Sequence, residues 1–269
     1  MTRSARLRGL ALAALAFAFP GAEAARAADL PAIRQVAPAA PLPATEPDLT
    51  FTSTAYVWAT GLDGRLRTLP PQPAANVSIG FDQVLKNLDG GLMAAAEVKY
   101  GRFLLFFDLL ASRISPNKNL YPAGYPAGVK LDSGSFMGLA AAGYRLVDDP
   151  LFSLDAMVGI RGIAMKNTLR VEVVPVMLKL SESEQWVDGV VGARLKVNLT
   201  PSLFLTTMGF VGKGGSRYEW DTFGGLGYAF NDKWSAIVGY RAMKVDYRNG
   251  PFVFNALQQG PLMGLSARF

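Results

Sequence analysis

The segment "QWVDGVVGARLKVNL", residues 185–199, decides the fold. Val187, Val191, Ala193, Leu195, Val197 and Leu199 fall on one side of a two-residue repeat, and Asp188, Gly192, Arg194, Lys196 and Asn198 on the other. A helix would scatter those charges around its cylinder, so the segment is a strand with one apolar and one charged face.

The same separation recurs on both sides of it. In "LFSLDAMVGIRG", Phe152, Leu154, Ala156, Val158 and Ile160 oppose Ser153, Asp155, Gly159 and Arg161. In "GLMAAAEVKY", Leu92, Ala94, Ala96, Val98 and Tyr100 oppose Glu97 and Lys99, and in "YEWDTFGGLGYAF" Tyr218, Trp220, Leu226, Tyr228 and Phe230 oppose Glu219 and Asp221. Short connections at Gly101, 147–150, 200–202 and 231–233 alternate with mostly longer ones near 61–90, 115–134, 165–184, 213–217 and 249–252. Short turns on one rim and long loops on the other are the layout of an outer-membrane barrel.

Strands placed between these connections number ten: 50–60, 91–100, 102–114, 135–146, 151–164, 185–199, 203–212, 218–230, 234–248 and 253–269. The count ranges from eight to twelve, because 61–80 and 165–182 carry enough strand character to add or extend a hairpin. The fold class is therefore all-β: an antiparallel, up-and-down transmembrane barrel over 49–269. Within the first long loop, "FDQVLKNLDGG" (81–91) has Phe81, Val84, Leu85 and Leu88 at helical spacing, which predicts a short helix. "YPAGYPAG" (121–128) is a tandem repeat suited to turns, read as a rigid surface loop.

The amino terminus adds a compartment. Arg3, Arg6 and Arg8 precede the apolar run "LALAALAFAF" and small-residue triplets, the layout of a secretory signal peptide, assigned to 1–27. Residues 28–48, rich in Pro and Ala, read as a periplasmic linker. Removing 1–27 takes away four arginines and one glutamate, so the formal charge of +6 falls to +3, and no basic stripe argues for nucleic acid. The chain has no cysteine, so an exported fold must hold without disulfides. It also has no histidine, which rules out Ser-His, Cys-His and His-metal sites.

Periodicity alone leaves open which face is inside. A soluble carrier barrel would put the charges in water; a membrane barrel reverses this. Aromatics near strand ends favour the membrane: Tyr100, Phe103, Tyr144, Tyr228, Phe230, Trp234 and Phe269 lie by the short turns, and Tyr56, Trp58, Tyr218 and Trp220 nearer the long loops. The lumen then holds the acids Glu97, Asp108, Asp155, Asp188, Glu219 and Asp221 and the bases Lys99, Arg145, Arg161, Arg194, Lys196, Arg241 and Arg268. Charges removed from water need partners, so these are expected to form an ion-pair network that plugs the lumen. The alternative is a lining that makes a narrow passive channel for ions or small solutes.

"GLGYAFNDKWSAIVGYRAMKVDY", "WVDGVVGAR", "YRLVDDPLFSLDAMVGIR" and "GPLMGLSARF" resemble a family of bacterial outer-membrane β-barrel proteins seen in alphaproteobacteria, mostly without an assigned activity. "AADLP" after the signal peptide is similar to mature starts of exported proteins in that group. The resemblance spans nearly all of 49–269. It implies the outer membrane of a Gram-negative bacterium, contact with outer-membrane lipid, and docking to the barrel-assembly machinery through the last strand. In the terminal assembly signal of such proteins, Gly264 and Phe269 match, while Ala267 stands where an aromatic and Leu262 where a polar residue is usual. Outer-membrane proteases, phospholipases and lipid A acyl-modifying enzymes use a histidine as families, so no catalysis is expected. No catalytic, metal or cofactor residue is assigned, and the expected state is a monomer with a structural or surface-loop role.

Overall fold

The alternating segments pair edge to edge into an antiparallel sheet that closes on itself. The computed structural model describes residues 49–70, 73–115, 117–120, 127–173 and 176–269. The signal peptide and linker expected at 1–27 and 28–48, and most of the 121–128 repeat, lie outside those residues.

The elements in chain order are β1 (Leu49–Trp58), β2 (Gly61–Arg67), β3 (Ala75–Ile79), α1 (Phe81–Lys86), β4 (Leu88–Tyr100), β5 (Phe103–Ile114) and β6 (Asn117–Leu120). They continue with β7 (Ala127–Asp148), β8 (Phe152–Val173), β9 (Val176–Asn198), β10 (Leu203–Gly214), β11 (Tyr218–Ala229), β12 (Trp234–Asn249) and β13 (Phe252–Arg268). Sequential neighbours pair from β4 to β13, with β6 a short addition at the edge of β7. β1 and β2 lie end to end along β13: β1 pairs with its 262–268 part and β2 with 253–259. They share one position in the wall, so the barrel has ten strands, and β2–β3 is an extra hairpin inside the first long connection.

A glycine lies opposite the break between β1 and β2. Gly260 faces it so closely that a Cβ would lie 1.9 Å from the carbonyl oxygen of Ala59. The N–H of Ala59 donates to the carbonyl of Pro261 at 2.8 Å, so β13 passes the interruption without losing its hold on the first strand. Closure is completed by the last residue. Phe269 and Phe51 exchange both backbone hydrogen bonds, at 2.8 and 3.1 Å, and their rings sit 6.2 Å apart.

The side chains sort by parity. Leu105, Val158, Ile160, Val187, Val191, Val211, Val238, Met263 and Leu265 point outward and are exposed. Leaving each in water rather than burying it forgoes about 1.5–3 kcal/mol, so this belt is stable only against lipid. Tyr100, Phe103, Tyr144, Tyr228, Phe230, Trp234 and Phe269 ring the short-turn end, also outward and exposed. Tyr56 and Trp58 correct the sequence reading. They were grouped with the outer aromatics, but they continue the inward row of Thr50, Thr52 and Thr54 and are buried.

The long connections are largely strand. β7, β8 and β9 run 22, 22 and 23 residues, while their outer neighbours β5 and β10 have 12 each, so this group stands above the opposite wall as tall hairpins. α1 confirms the short helix, ending at Lys86 rather than reaching 91.

Candidate functional site

The lumen is crossed by two ionic layers set by cross-strand register. In the central layer Arg241 Nη2 donates to Asp108 Oδ2 and to Asp221 Oδ2, both at 2.7 Å, and its Nε donates to Asp221 Oδ1 at 3.0 Å. Tyr56 closes the ring, donating to Asp108 Oδ1 at 2.5 Å and accepting from Arg241 Nη1 at 3.1 Å. Arg161 takes the far side of Asp221 through Nη2 at 2.8 Å, and its Nε is 3.6 Å from Glu219. It also lies opposite Asp188 in the β8–β9 ladder, and Asp188 accepts the N–H of Ser216 at 2.7 Å. Arg161 and Asp188 are 0% exposed.

The second layer lies toward the short turns. Asp155 sits between Arg145 and Arg194, its ladder neighbours on β7 and β9, and takes Arg145 Nε at 2.8 Å and Arg194 Nη2 at 2.8 Å. Arg194 reaches on to Glu97 at 2.5 Å, and Arg145 to Asp148 at 3.0 Å. Below this layer Lys99, Lys196 and Arg268 line an open vestibule of about 440 Å³, with Lys196 held 4.3 Å over the Phe204 ring. Between the layers is a smaller cavity of about 190 Å³ that shares Arg194, Phe204 and Thr206 with the vestibule.

The thirteen lumen residues thus separate into three groups. Asp108, Arg161, Asp188, Glu219, Asp221 and Arg241 form the central layer; Glu97, Arg145, Asp155 and Arg194 the second; Lys99, Lys196 and Arg268 the vestibule. Near-neutrality holds for the set but not for each layer. Four carboxylates face two guanidiniums in the centre, and both oxygens of Glu219 lack a hydrogen bond among the described residues. No group of three or more acid side chains among the described residues is arranged to hold a metal ion.

A closed wall with lipid-facing aliphatics, an aromatic ring at the short-turn rim and a polar, ion-paired interior leaves one architecture. The fold is that of a bacterial outer-membrane β-barrel. The chain is similar to the outer membrane protease OmpT of Escherichia coli at a TM-score of 0.53 and 8% identity, over 83% of this chain and 97% of that one. It is also similar to the translocator domain of the autotransporter NalP of Neisseria meningitidis (TM-score 0.45, 12% identity, 85% and 91% covered). A third likeness is to the attachment invasion locus protein Ail of Yersinia pestis (TM-score 0.35, 11% identity, 84% and 100% covered). At 8% identity the likeness to OmpT shows the fold alone. No family model matches the chain, and no curated relative does.

On the long-hairpin side the lumen of this barrel is filled by an apolar cluster that the charge pattern did not signal. Trp58, Met243, Val245, Phe252, Phe254 and Ala256 are its most buried members. Trp186 and Tyr247 stack at 3.9 Å, 7° from parallel, and Tyr247 donates to Glu184 at 2.9 Å. The outward neighbours of Tyr247 are the charged Asp246 and Arg248, so Tyr247 lies beyond the lipid-facing belt, whose edge is Val187 next to Trp186. Burial, with the Glu184 carboxylate beside it, pushes the Tyr247 phenol up to about 12 and keeps it a donor. The signal was parity: Trp186 shares a face with Asp188, and Tyr247 with Arg241.

The two terminal residues have structural surroundings of their own. A Cβ on Gly264 would meet that of Tyr56 at 3.1 Å, so glycine there gives Tyr56 room within the central layer. Phe269 is exposed on the outer face.

Proposed function

We propose that this chain is a monomeric outer-membrane barrel of a Gram-negative envelope whose lumen is closed by its own side chains, serving the envelope structurally or through its tall β7–β9 hairpins. The supporting observation is the central layer, where Arg161, Asp221 and Arg241 bridge from one wall to another with almost no exposed surface. A ten-stranded barrel has room for little beyond its side chains, while wide aqueous pores need about sixteen strands. Single-channel recording of the refolded chain in planar bilayers tests this reading. No stepwise conductance is expected; steps that shift on Arg161→Gln or Arg194→Gln would overturn it.

The second reading, a narrow passive channel for ions or small solutes, draws support from the vestibule and the cavity beyond it, which meet at Arg194. The Arg241 layer and the apolar cluster around Trp58, Met243 and Phe252 beyond it would then have to yield. In neither reading does the chain act as an enzyme, since it has no histidine to serve as a base.

In this reading residues 1–27 direct export, 28–48 lie in the periplasm, and the short turns face the same side. Gly264 and Phe269 present the last strand to the assembly machinery. Deleting Phe269 is expected to lower the amount of heat-modifiable barrel in outer-membrane fractions several-fold, whereas Ala267→Phe leaves it equal or higher. Undiminished levels after the deletion would count against this route of assembly.

A further inference from the structure

The wall is incomplete at one place. β1 and β4 pair from Leu49 with Tyr100 up to Ala55 with Ala94, and among the described residues no ladder pair joins β4 above Ala94 to β1, β2 or β3. The backbone N–H of Trp58 donates instead to the sulfur of Met93 at 3.1 Å. A side chain stands where a carbonyl would continue the sheet. The chain itself crosses this breach, leaving the edge strand β3 at Ile79 and reaching β4 at Leu88 by way of α1.

Behind the breach lies a cavity of about 180 Å³, closed on most sides among the described residues. α1 roofs it with Phe81 and Val84, and Trp58 and Ile163 are buried in its lining. Three methionines, Met93, Met137 and Met165, add an unbranched, adaptable surface, beside Leu110, Phe254 and the polar Gln258. Val57 also lines it, and its side chain is 59% exposed on the lipid-facing side, so the space meets the outer surface at the breach. The serines at its border are occupied: Ser112 bonds Ser135 at 2.8 Å, and Ser133 donates to Asn167 at 2.8 Å. The buried indole N–H of Trp58 has no partner among the described residues.

We propose that this cavity binds a small uncharged hydrocarbon group, about one six-membered ring in size and carrying one hydrogen-bond acceptor, reached from the membrane between β1 and β4. A dry cavity of roughly 150 Å³ accepts benzene, which sets the scale. Lipid is already apolar, so transfer from it supplies no hydrophobic driving force. Fit against the methionines and the hydrogen bond from Trp58 must supply the preference. The occupant is a free molecule, since the end of a lipid acyl chain carries no acceptor for the Trp58 N–H. The inference holds whether or not the lumen conducts.

Fluorescence of Trp58 alone, after Trp186→Phe, Trp220→Phe and Trp234→Phe, tests it in the full chain refolded into bilayers, with heat-modifiable migration confirming the fold. Saturable quenching by 4-bromoacetophenone is expected, several-fold tighter than by bromobenzene and reversed by acetophenone. Met137→Phe with Met165→Phe, which fills the space, should abolish it. Bilayers of phosphatidylcholine brominated near the acyl terminus test the alternative: quenching there that acetophenone relieves means that a lipid chain, which has no acceptor, fills the space, and overturns the assignment. Quenching that does not saturate, or that persists in the filled variant, overturns the proposal. Wild-type crystals soaked in 4-bromoacetophenone give an independent reading. Bromine density between Met93 and Ile163 supports the site, and density confined to the outer surface refutes it.

Discussion

Around Arg241 every guanidinium nitrogen is turned to a partner, whereas beneath α1 space is left among three methionines. The two regions share one lumen and differ in what holds them. Directional charge-assisted bonds fix the first to one arrangement, and a change there leaves a charge without its partner. The second rests on non-directional contacts, which adapt to a lost or added group. The wall follows the same division: β8 and β9 pair without a shift beside the ionic layers, whereas the β1–β4 ladder stops beside the hollow region.

The comparison breaks most visibly at its rigid side. Arg241→Met is expected to cost about 3–5 kcal/mol, because Asp108 and Asp221 stay buried without their common cation. Urea titration of the refolded barrel in bilayers measures it, and a loss under about 1 kcal/mol would mean the layer is more open to water than its burial indicates. Enlargement sharpens the contrast. Ala141→Leu, packed in the cluster with Leu104 and Met157, should cost about 1–3 kcal/mol, and Met137→Phe beside the cavity under about 1 kcal/mol, measured in the same titration. Equal costs would show that the hollow region is as tightly packed as the filled one. The smallest effect is expected above both regions. Tyr247→Phe keeps the stack on Trp186 and loses only the bond to Glu184, about 1 kcal/mol. At pH below 10 the neutral phenol donates throughout, so that difference should stay flat from pH 6 to about 9.

The strands could be read from local alternation because each buries one face and exposes the other. The segments 203–212 and 234–248 lie within β10 and β12, and the ten positions follow from counting turns. Trp58 was legible and misplaced. Its parity with Thr52 and Thr54 placed it inside, but an aromatic near a strand end suggests a membrane interface when residue type outweighs position. What local pattern could not give was partnership. Arg241 and Asp108 are 133 residues apart and meet through the curvature of the closed sheet. The β1–β2 break was hidden for the same reason, since it depends on how 61–67 pairs with 253–259 across the length of the chain. The strand character of 165–182 was visible, and it becomes the tall arms of β8 and β9.

Sharing one wall position between β1 and β2 carries a kinetic consequence. Thr54 and Ser266, which bond across the closing pair, are separated by 212 residues, so closure pays the largest loop entropy in the molecule. From β4 to β13 the neighbouring pairs can zip from the connections between them, and β1 reaches β4 across the connection that carries β2, β3 and α1; this leaves the first strand position, β1 with β2, and β13 as the last free edges of a nearly complete sheet. Until they join, two rows of unsatisfied backbone groups face lipid or another chain. The rate at which the two ends find one another should therefore set how long this protein spends in its most aggregation-prone form.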